Sequence, residues 1–281
     1  MQQYRQIFDA ILRVYQNSGF VMAGAMAFSF VLSLFPFCIF LGAVASVFGG
    51  RPLATQAVTQ LFAVMPKSVA EVLAPQIEQI MDQSRVGLLT VSGLLALFFA
   101  TSANETLRSA INNAYRVTET RSYFLCLALS ALFLLVSALA MLIVAWVLVV
   151  GPNLVTHMQI PLLAGLLQSD WSSTLLRHGL AGLTLAVYLL GVHLWLAAGE
   201  RTIWDVWPGV LLTIVLMLAL AGLYSSYIAL GNYALFYAGL SQIMIALIFF
   251  QLTGVAILMG AELNRGIAEL SRMSLQELTS P

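Results

Sequence analysis

Long uncharged runs separated by short clusters of charge dominate the chain. No Asp, Glu, Lys or Arg lies between Arg13 and Arg51, between Arg85 and Glu105, or across the 48 residues from Ser122 to Ser169. A helix rises about 1.5 Å per residue, so about 20 apolar residues cross the hydrocarbon of a bilayer. On that measure spans are predicted at about 21–48, 86–104, 123–150, 178–198, 207–228 and 241–263, six in all. Gly151-Pro152-Asn153 is a turn signal that ends the third span. The stretch 154–169, with His157, Gln159 and Pro161, then reads as interfacial or re-entrant. Ahead of the first span, Ile7, Phe8, Ile11, Val14 and Tyr15 fall on one face of a helix within 1–19, and Arg5, Asp9 and Arg13 exclude a cleavable signal there.

The loop 51–85 has its own helical periodicity. Val58, Leu61, Phe62 and Met65 form one apolar stripe, and Val69, Val72, Leu73, Ile77 and Ile80 form another, punctuated by Pro52, Pro66 and Pro75. Two short amphipathic helices lying on the bilayer or capping the bundle fit this pattern. The fold class is therefore all-α: one polytopic membrane domain over 1–281, six transmembrane helices, short amphipathic helices in the first outer loop, and a tail at 264–281.

Composition turns that pattern into an exclusion. Charged residues make up 9% of the chain and hydrophobic residues 60%, with a mean hydropathy of +0.93. Soluble domains carry roughly 25% charged residues, so a soluble enzyme, a disordered chain and a disulfide scaffold are excluded. The 12 basic and 12 acidic residues cancel, which leaves no positive field for nucleic acid. Cys38 and Cys126 lie apart in apolar runs and read as buried small side chains.

Orientation follows the distribution of Lys and Arg. With the N-terminus inside, the inner segments hold Arg5, Arg13, Arg108, Arg116, Arg121, Arg201, Arg265 and Arg272, against Arg51, Lys67, Arg85 and Arg177 outside. Both termini are expected in the cytoplasm. Trp171 and the pair Trp204 and Trp207 fall at predicted span ends, where aromatic belts sit.

The polar residues that carry candidate chemistry collect at the inner border. Thr101, Glu105, Arg108 and Asn112 form one stripe if the second span continues as a helix. Glu200-Arg201 with Asp205, and Glu262 through Asn264 to Arg265, lie at the same depth. Such clusters either pair across helices and lock their ends, or form a polar head-group site or inner gate. Asn104, Glu105, Arg108, Glu200, Arg201, Glu262, Asn264 and Arg265 are the candidate substrate-binding or gate residues. Ala25, Ser29 and Ser33, followed by Pro36, form a small-residue face for helix packing. Gln251 and His193 read as satisfied core residues. No P-loop, His-Glu-x-x-His, nucleophile elbow or Cys-x-x-Cys is present, and His157, His178 and His193 stand in separate segments without an acidic cluster. No catalytic residue, metal site or cofactor is assigned, and the chain is expected not to be an enzyme.

Four stretches together resemble the YihY/BrkB family of bacterial inner-membrane proteins. Gly24 through Pro36 resembles its first-span motif, and Gly93 through Ala103 to Tyr115 its second. Glu200-Arg201 through Trp207-Pro208-Gly209 is similar to its entry to the fifth span. Tyr227 through Gly260-Ala261-Glu262-Leu263-Asn264, with Gly231-Asn232-Tyr233, resembles its C-terminal signature, although Phe249-Phe250-Gln251 stands where the family commonly has a Trp and a Tyr. The resemblance implies a six-span fold in the inner membrane without a settled biochemical activity. Its members have been labelled ribonuclease BN, named for serum resistance and virulence, or associated with export of lipid and lipopolysaccharide precursors. The ribonuclease label finds no catalytic residues here.

The expected function is a transporter-like mover of a lipid or amphipathic solute, passive or partner-driven, with its site between spans 1, 2, 5 and 6. The alternative is a non-transporting scaffold or envelope-integrity factor acting through 51–85. Expected partners are membrane lipids and either a second copy or an envelope protein, with no nucleic acid.

Overall fold

A computed structural model describes residues 10–33, 36, 86–157, 170–230 and 240–279. The described residues are helical, with no strand among them. A short helix α1 covers 10–16 and α2 runs over Gly19–Ser33. They are followed by α3 (Val86–Tyr115), α4 (Tyr123–His157), α5 (Asp170–Gly191), α6 (Ile203–Leu230) and α7 (Leu240–Thr279). Three stretches are long and apolar enough to cross a membrane, Tyr123–Ala140, Ile203–Leu223 and Ala246–Ser271, and Gly19–Ser33 and Gly182–Leu196 are shorter apolar helices. The amphipathic pair expected within 51–85, Cys38 and most of 154–169 lie outside the described residues.

Helix ends are set by local chemistry. The C-terminus of α3 is a Schellman turn: the Val117 amide donates to the Asn112 carbonyl and the Arg116 amide to that of Asn113, at 3.0 and 3.1 Å. Arg116 occupies the left-handed position, φ 57°, that glycine usually takes. The start of α6 is half of a capping box, in which Asp205 accepts from the Thr202 amide at 2.8 Å and from its hydroxyl at 2.7 Å. The helix α5 passes into a π turn over Val192–Leu196, closed by the Ala197 amide on the Val192 carbonyl at 3.1 Å. The chain then turns sharply at Gly199, whose φ of +88° suits a residue without Cβ.

The expected break at Gly151-Pro152-Asn153 does not occur, because helical backbone continues to His157. In hydrocarbon an irregular turn would strand backbone donors and acceptors, so an apolar helix tolerates a proline rather than unwinding. The face of the N-terminal helix is also rotated from expectation. Ala10 and Val14 are buried while Ile11 and Tyr15 are exposed.

The most extensive helix packing joins α6 to α7, followed by α3 against α4 and α3 against α7. The core is built from Leu107, Ile111, Leu189, Val192, Leu258 and Ala261 with Met26 and Ala23 of α2. On α2 the packing line is Ala23, Met26 and Ala27; Ala25 is exposed, whereas Ser33 is buried. Ser29 does face a neighbour, its hydroxyl 3.2 Å from that of Thr106. Ala23 lies so near α7 that a Cβ on Gly254 would come within 3.3 Å of its Cα. The closest approach is between α6 and α7. A Cβ on Gly209 would strike the Gly260 carbonyl oxygen and lie 2.5 Å from Asn264 Nδ2. A Cβ on Gly260 would strike the Thr213 hydroxyl and lie 2.5 Å from the Gly209 carbonyl.

Because backbone meets backbone there, neither neighbour can yield cheaply. Gly209→Ala and Gly260→Ala are each expected to destabilise by about 2 kcal/mol or more. Gly182→Ala, where a Cβ meets nothing within 4 Å, is expected to be neutral or slightly stabilising. Thermal unfolding in detergent measures all three; equal melting temperatures would contradict the contact.

Candidate functional site

The junctions 17–18, 116–122 and 197–202 and the second half of α7 meet at one end of the bundle. Asn113 of α3 donates to the Asn17 carbonyl at 3.2 Å. Arg121 donates to the Leu196 carbonyl at 2.9 Å, and the Ala198 amide donates to Asn112 Oδ1 at 2.7 Å. Chain segments far apart in sequence thus share one polar layer.

Its first group centres on Glu262, whose side chain is 1% exposed. Arg116 Nη2 lies 3.1 Å from Glu262 Oε1, Arg265 Nη1 lies 3.6 Å from Oε2, and Asn17 Nδ2 donates to Oε1 at 3.4 Å. Arg265 also pairs with Glu269 at 2.7 Å, and Glu269 lies 3.7 Å from Arg13. Two cations beside one carboxylate offset the cost of taking it out of water. The strained Arg116 backbone is held in place by this ion pair and by its own guanidinium donating to the Asn113 carbonyl at 2.9 Å.

The second group joins α3 to the loop before α4. Glu105 pairs with Arg108 and accepts from the Ser130 hydroxyl. Arg108 lies 3.3 Å from Glu119, and Arg121 holds Glu119 through two hydrogen bonds of 2.8 Å. Asn112 Nδ2 adds a bond of 3.2 Å to Glu119. The hydrogen bonds from Arg121 push the Glu119 carboxyl down to about 2, well below the usual carboxylate range. Asn104 donates to the Ser130 carbonyl at 3.1 Å.

The third group is buried. Asn264 Oδ1 accepts from the Gly209 amide at 2.6 Å. Its Nδ2 donates to the Val206 carbonyl at 3.0 Å and to the Tyr115 hydroxyl at 3.1 Å. The Tyr115 hydroxyl is 2.8 Å from His193 Nδ1. The Arg201 guanidinium lies over the Tyr115 ring, 3.7 Å from its centre, and burial pushes its pKa down. Thr213 ties the two helices once more, its hydroxyl 2.8 Å from the Gly209 carbonyl and 3.2 Å from that of Ala256.

All eight candidate residues are near this end, but their partners differ from those the sequence pattern names. Glu105 and Arg108 do pair, as do Glu262 and Arg265. Glu200 is exposed and joins no ion pair among the described residues. Asn264 and Asn104 are taken up by backbone groups. Tyr115, Arg116, Glu119, Arg121 and Gly209 belong to the layer and were not singled out by spacing. His193 is satisfied only at Nδ1, since its Nε2 is buried without a partner. Gln251 is half-buried opposite Gly24, where a Cβ would lie 3.9 Å from its Nε2. Among the described residues no three His, Cys, Asp or Glu side chains gather to hold a metal ion.

The sequence model of a family described as Virulence factor BrkB matches residues 10–279. A relative from Bacillus subtilis (strain 168), named ribonuclease-like protein YfkH, is 25% identical over 252 residues, covering 88% of this chain and 90% of the relative. No solved structure matches the chain.

Tyr115→Phe removes the atom that joins Asn264 to His193 and is expected to cost about 1–3 kcal/mol, the penalty of leaving buried polar groups unpaired; an unchanged unfolding midpoint would contradict the joint. Glu119 gives a pH signature. Its folded pKa lies below the unfolded value, so its stabilisation is complete above about pH 4.5 and fades as pH falls toward about 2. In pH-dependent unfolding Glu119→Gln should flatten that acid limb, and a limb of unchanged steepness would remove Glu119 as its source.

Proposed function

The chain belongs to the BrkB virulence-factor family, and from that premise we propose a mover of a lipid or amphipathic solute, without its own ATPase, in the bacterial inner membrane. The reading includes six spans, both termini in the cytoplasm, and the polar layer as the inner gate. Glu262 is the observation that carries it. A carboxylate with a 1% exposed side chain, inside the apolar stretch Ala246–Ser271, is costly and is therefore a functional candidate by default. It holds Arg116 at the end of α3, Asn17 before α2, and Arg265 on its own helix. Separating α7 from α2 and α3 at this end requires breaking those contacts, which is what a gate does. Glu105 plays the same part between α3 and α4 through the Ser130 hydroxyl, while its pair Arg108, on the same helix, reaches Glu119 in the loop between them.

The word ribonuclease in the relative's name supplies a competing class. A transporter reading is preferred because the chain has no net charge to attract RNA. Metal-dependent hydrolysis of RNA also needs a convergent ligand set, and among the described residues no three His, Cys, Asp or Glu side chains gather to hold an ion.

Translocation of head-group-labelled lipids by the purified protein in proteoliposomes tests the proposal. Accelerated movement over empty vesicles is expected, lost in Glu105→Gln and Glu262→Gln variants that still fold. A fully active double variant would overturn the gate, and no movement of any lipid class would overturn the transport reading.

A further inference from the structure

Arg201 differs from the other arginines of the polar layer. Arg13, Arg108, Arg116, Arg121 and Arg265 each lie within 3.7 Å of a carboxylate. Arg201 has no ion pair or hydrogen bond among the described residues. It rests on the face of Tyr115, and its Nη1 is buried without a partner. The adjacent acids do not neutralise it by contact: Glu200 is exposed, and Asp205 is engaged by the amide and hydroxyl of Thr202. A cation–π contact offsets less of the cost of burial than two paired carboxylate hydrogen bonds do.

A second donor stands on the same tyrosine. Asn264 donates to the Tyr115 oxygen, and the tautomer that gives the Tyr115 proton an acceptor at the 2.8 Å contact is the one with His193 Nδ1 unprotonated. That ordering leaves His193 Nε2 as the ring's N–H donor, buried and without an acceptor. Tyr115 thus carries Arg201 on its ring face and His193 on its hydroxyl, each with one buried nitrogen that has no partner among the described residues, and the guanidinium is a full positive charge. What this place lacks is an acceptor-rich anion. Its depth says which kind. Trp195 is 41% exposed and Trp204 81% exposed, and they lie on either side of Arg201 in the chain. Exposed indoles of this kind sit at the head-group level of a bilayer, where the abundant anion is a phosphate, which a guanidinium binds through paired hydrogen bonds.

We propose that Arg201, with His193 Nε2 as second donor, is a binding site for the phosphate of an anionic lipid head group. The proposal deepens the transport reading by naming the ligand class, and rests on it only in taking that ligand from the bilayer. Binding is measured without translocation, so either can fail alone.

The test titrates the detergent-solubilised full-length protein with phosphatidylglycerol, phosphatidylcholine and inorganic phosphate, counting bound copies by native mass spectrometry. One phosphatidylglycerol is expected to bind in preference to phosphatidylcholine. Arg201→Gln should weaken it by at least about tenfold, the scale of a lost charge-assisted pair. Arg201→Lys, which keeps the charge but loses the paired donors, should bind with an affinity between those of the unaltered protein and Arg201→Gln, and Arg13→Gln should leave binding unchanged. Unaltered affinity in Arg201→Gln, or equal binding of the zwitterionic lipid, would overturn the site. Should Arg201→Gln not fold, failure of the Lys variant to bind any better than His193→Phe with Arg201→Lys would support His193 as bystander and overturn the second donor. Displacement of the lipid by millimolar inorganic phosphate would overturn the bilayer as the source.

Discussion

The side-chain amide of Asn264 is the interaction on which the polar end of this bundle depends. Two percent exposed, it uses its oxygen on the Gly209 amide and its nitrogen on Val206 and Tyr115. One side chain on α7 thereby fixes α6 and α3, and through Tyr115 reaches the π turn at His193. This works only because Gly209 and Gly260 let the two helix backbones approach closely. In a membrane, where lipid is as apolar as leucine, such close packing and buried hydrogen bonds replace the hydrophobic drive that joins helices in water. The π turn has the same logic. Widening the helix by one residue over Val192–Leu196 turns His193 inward and brings Ala198 to Asn112.

Around this joint the charges are arranged so that burial is tolerable. Glu262, the most buried of the acids in ion pairs, has two arginines beside it, and Glu119 has Arg108, Arg121 and Asn112. Removing one partner from such a group leaves an uncompensated charge, which costs more than the pair itself contributes. That asymmetry explains why Arg116 keeps a left-handed backbone that glycine would adopt more easily. The guanidinium is needed at Glu262, so the strain at the end of α3 is offset by the ion pair. Arg201, lacking such a partner, is the place where the layer is electrostatically open.

Much of this was legible in the residues themselves. The spacing of Thr101, Glu105, Arg108 and Asn112 at steps of four, three and four requires a helix past the apolar run, and α3 does continue to Tyr115. The border acids and arginines were placed at one end by the alternation of apolar runs. Which of them pair was not legible, because Glu119, Arg121 and Arg116 follow the end of α3, where positions depend on tertiary contacts rather than on periodicity. Tyr115 and Gly209 entered only as members of the family-like stretches and carried no signal of their own, since a tyrosine and a glycine near helix ends are ordinary in sequence. The small-residue line on α2 misled at its first member: Ala23, not Ala25, meets α7, and the step of four over Ala25, Ser29 and Ser33 drifts across the helix face because a turn takes about 3.6 residues. Pro152 misled for a different reason, as a turn signal calibrated in water loses force in hydrocarbon.

Fold and function meet in a simple statement: the polar end is a fixed joint around Asn264 and Tyr115, flanked by breakable ion pairs and one unpaired cation. The most direct measurement of that joint is backbone hydrogen exchange of the protein in lipid nanodiscs, read at Gly209 and Ala198. Both amides donate to side chains of the layer, Gly209 to Asn264 and Ala198 to Asn112, and Ala198 lies outside any helix. If the joint is closed in the native state, both should exchange as slowly as the buried middle of α7. Exchange at the rate of an exposed loop at either amide would show the joint open and contradict the account.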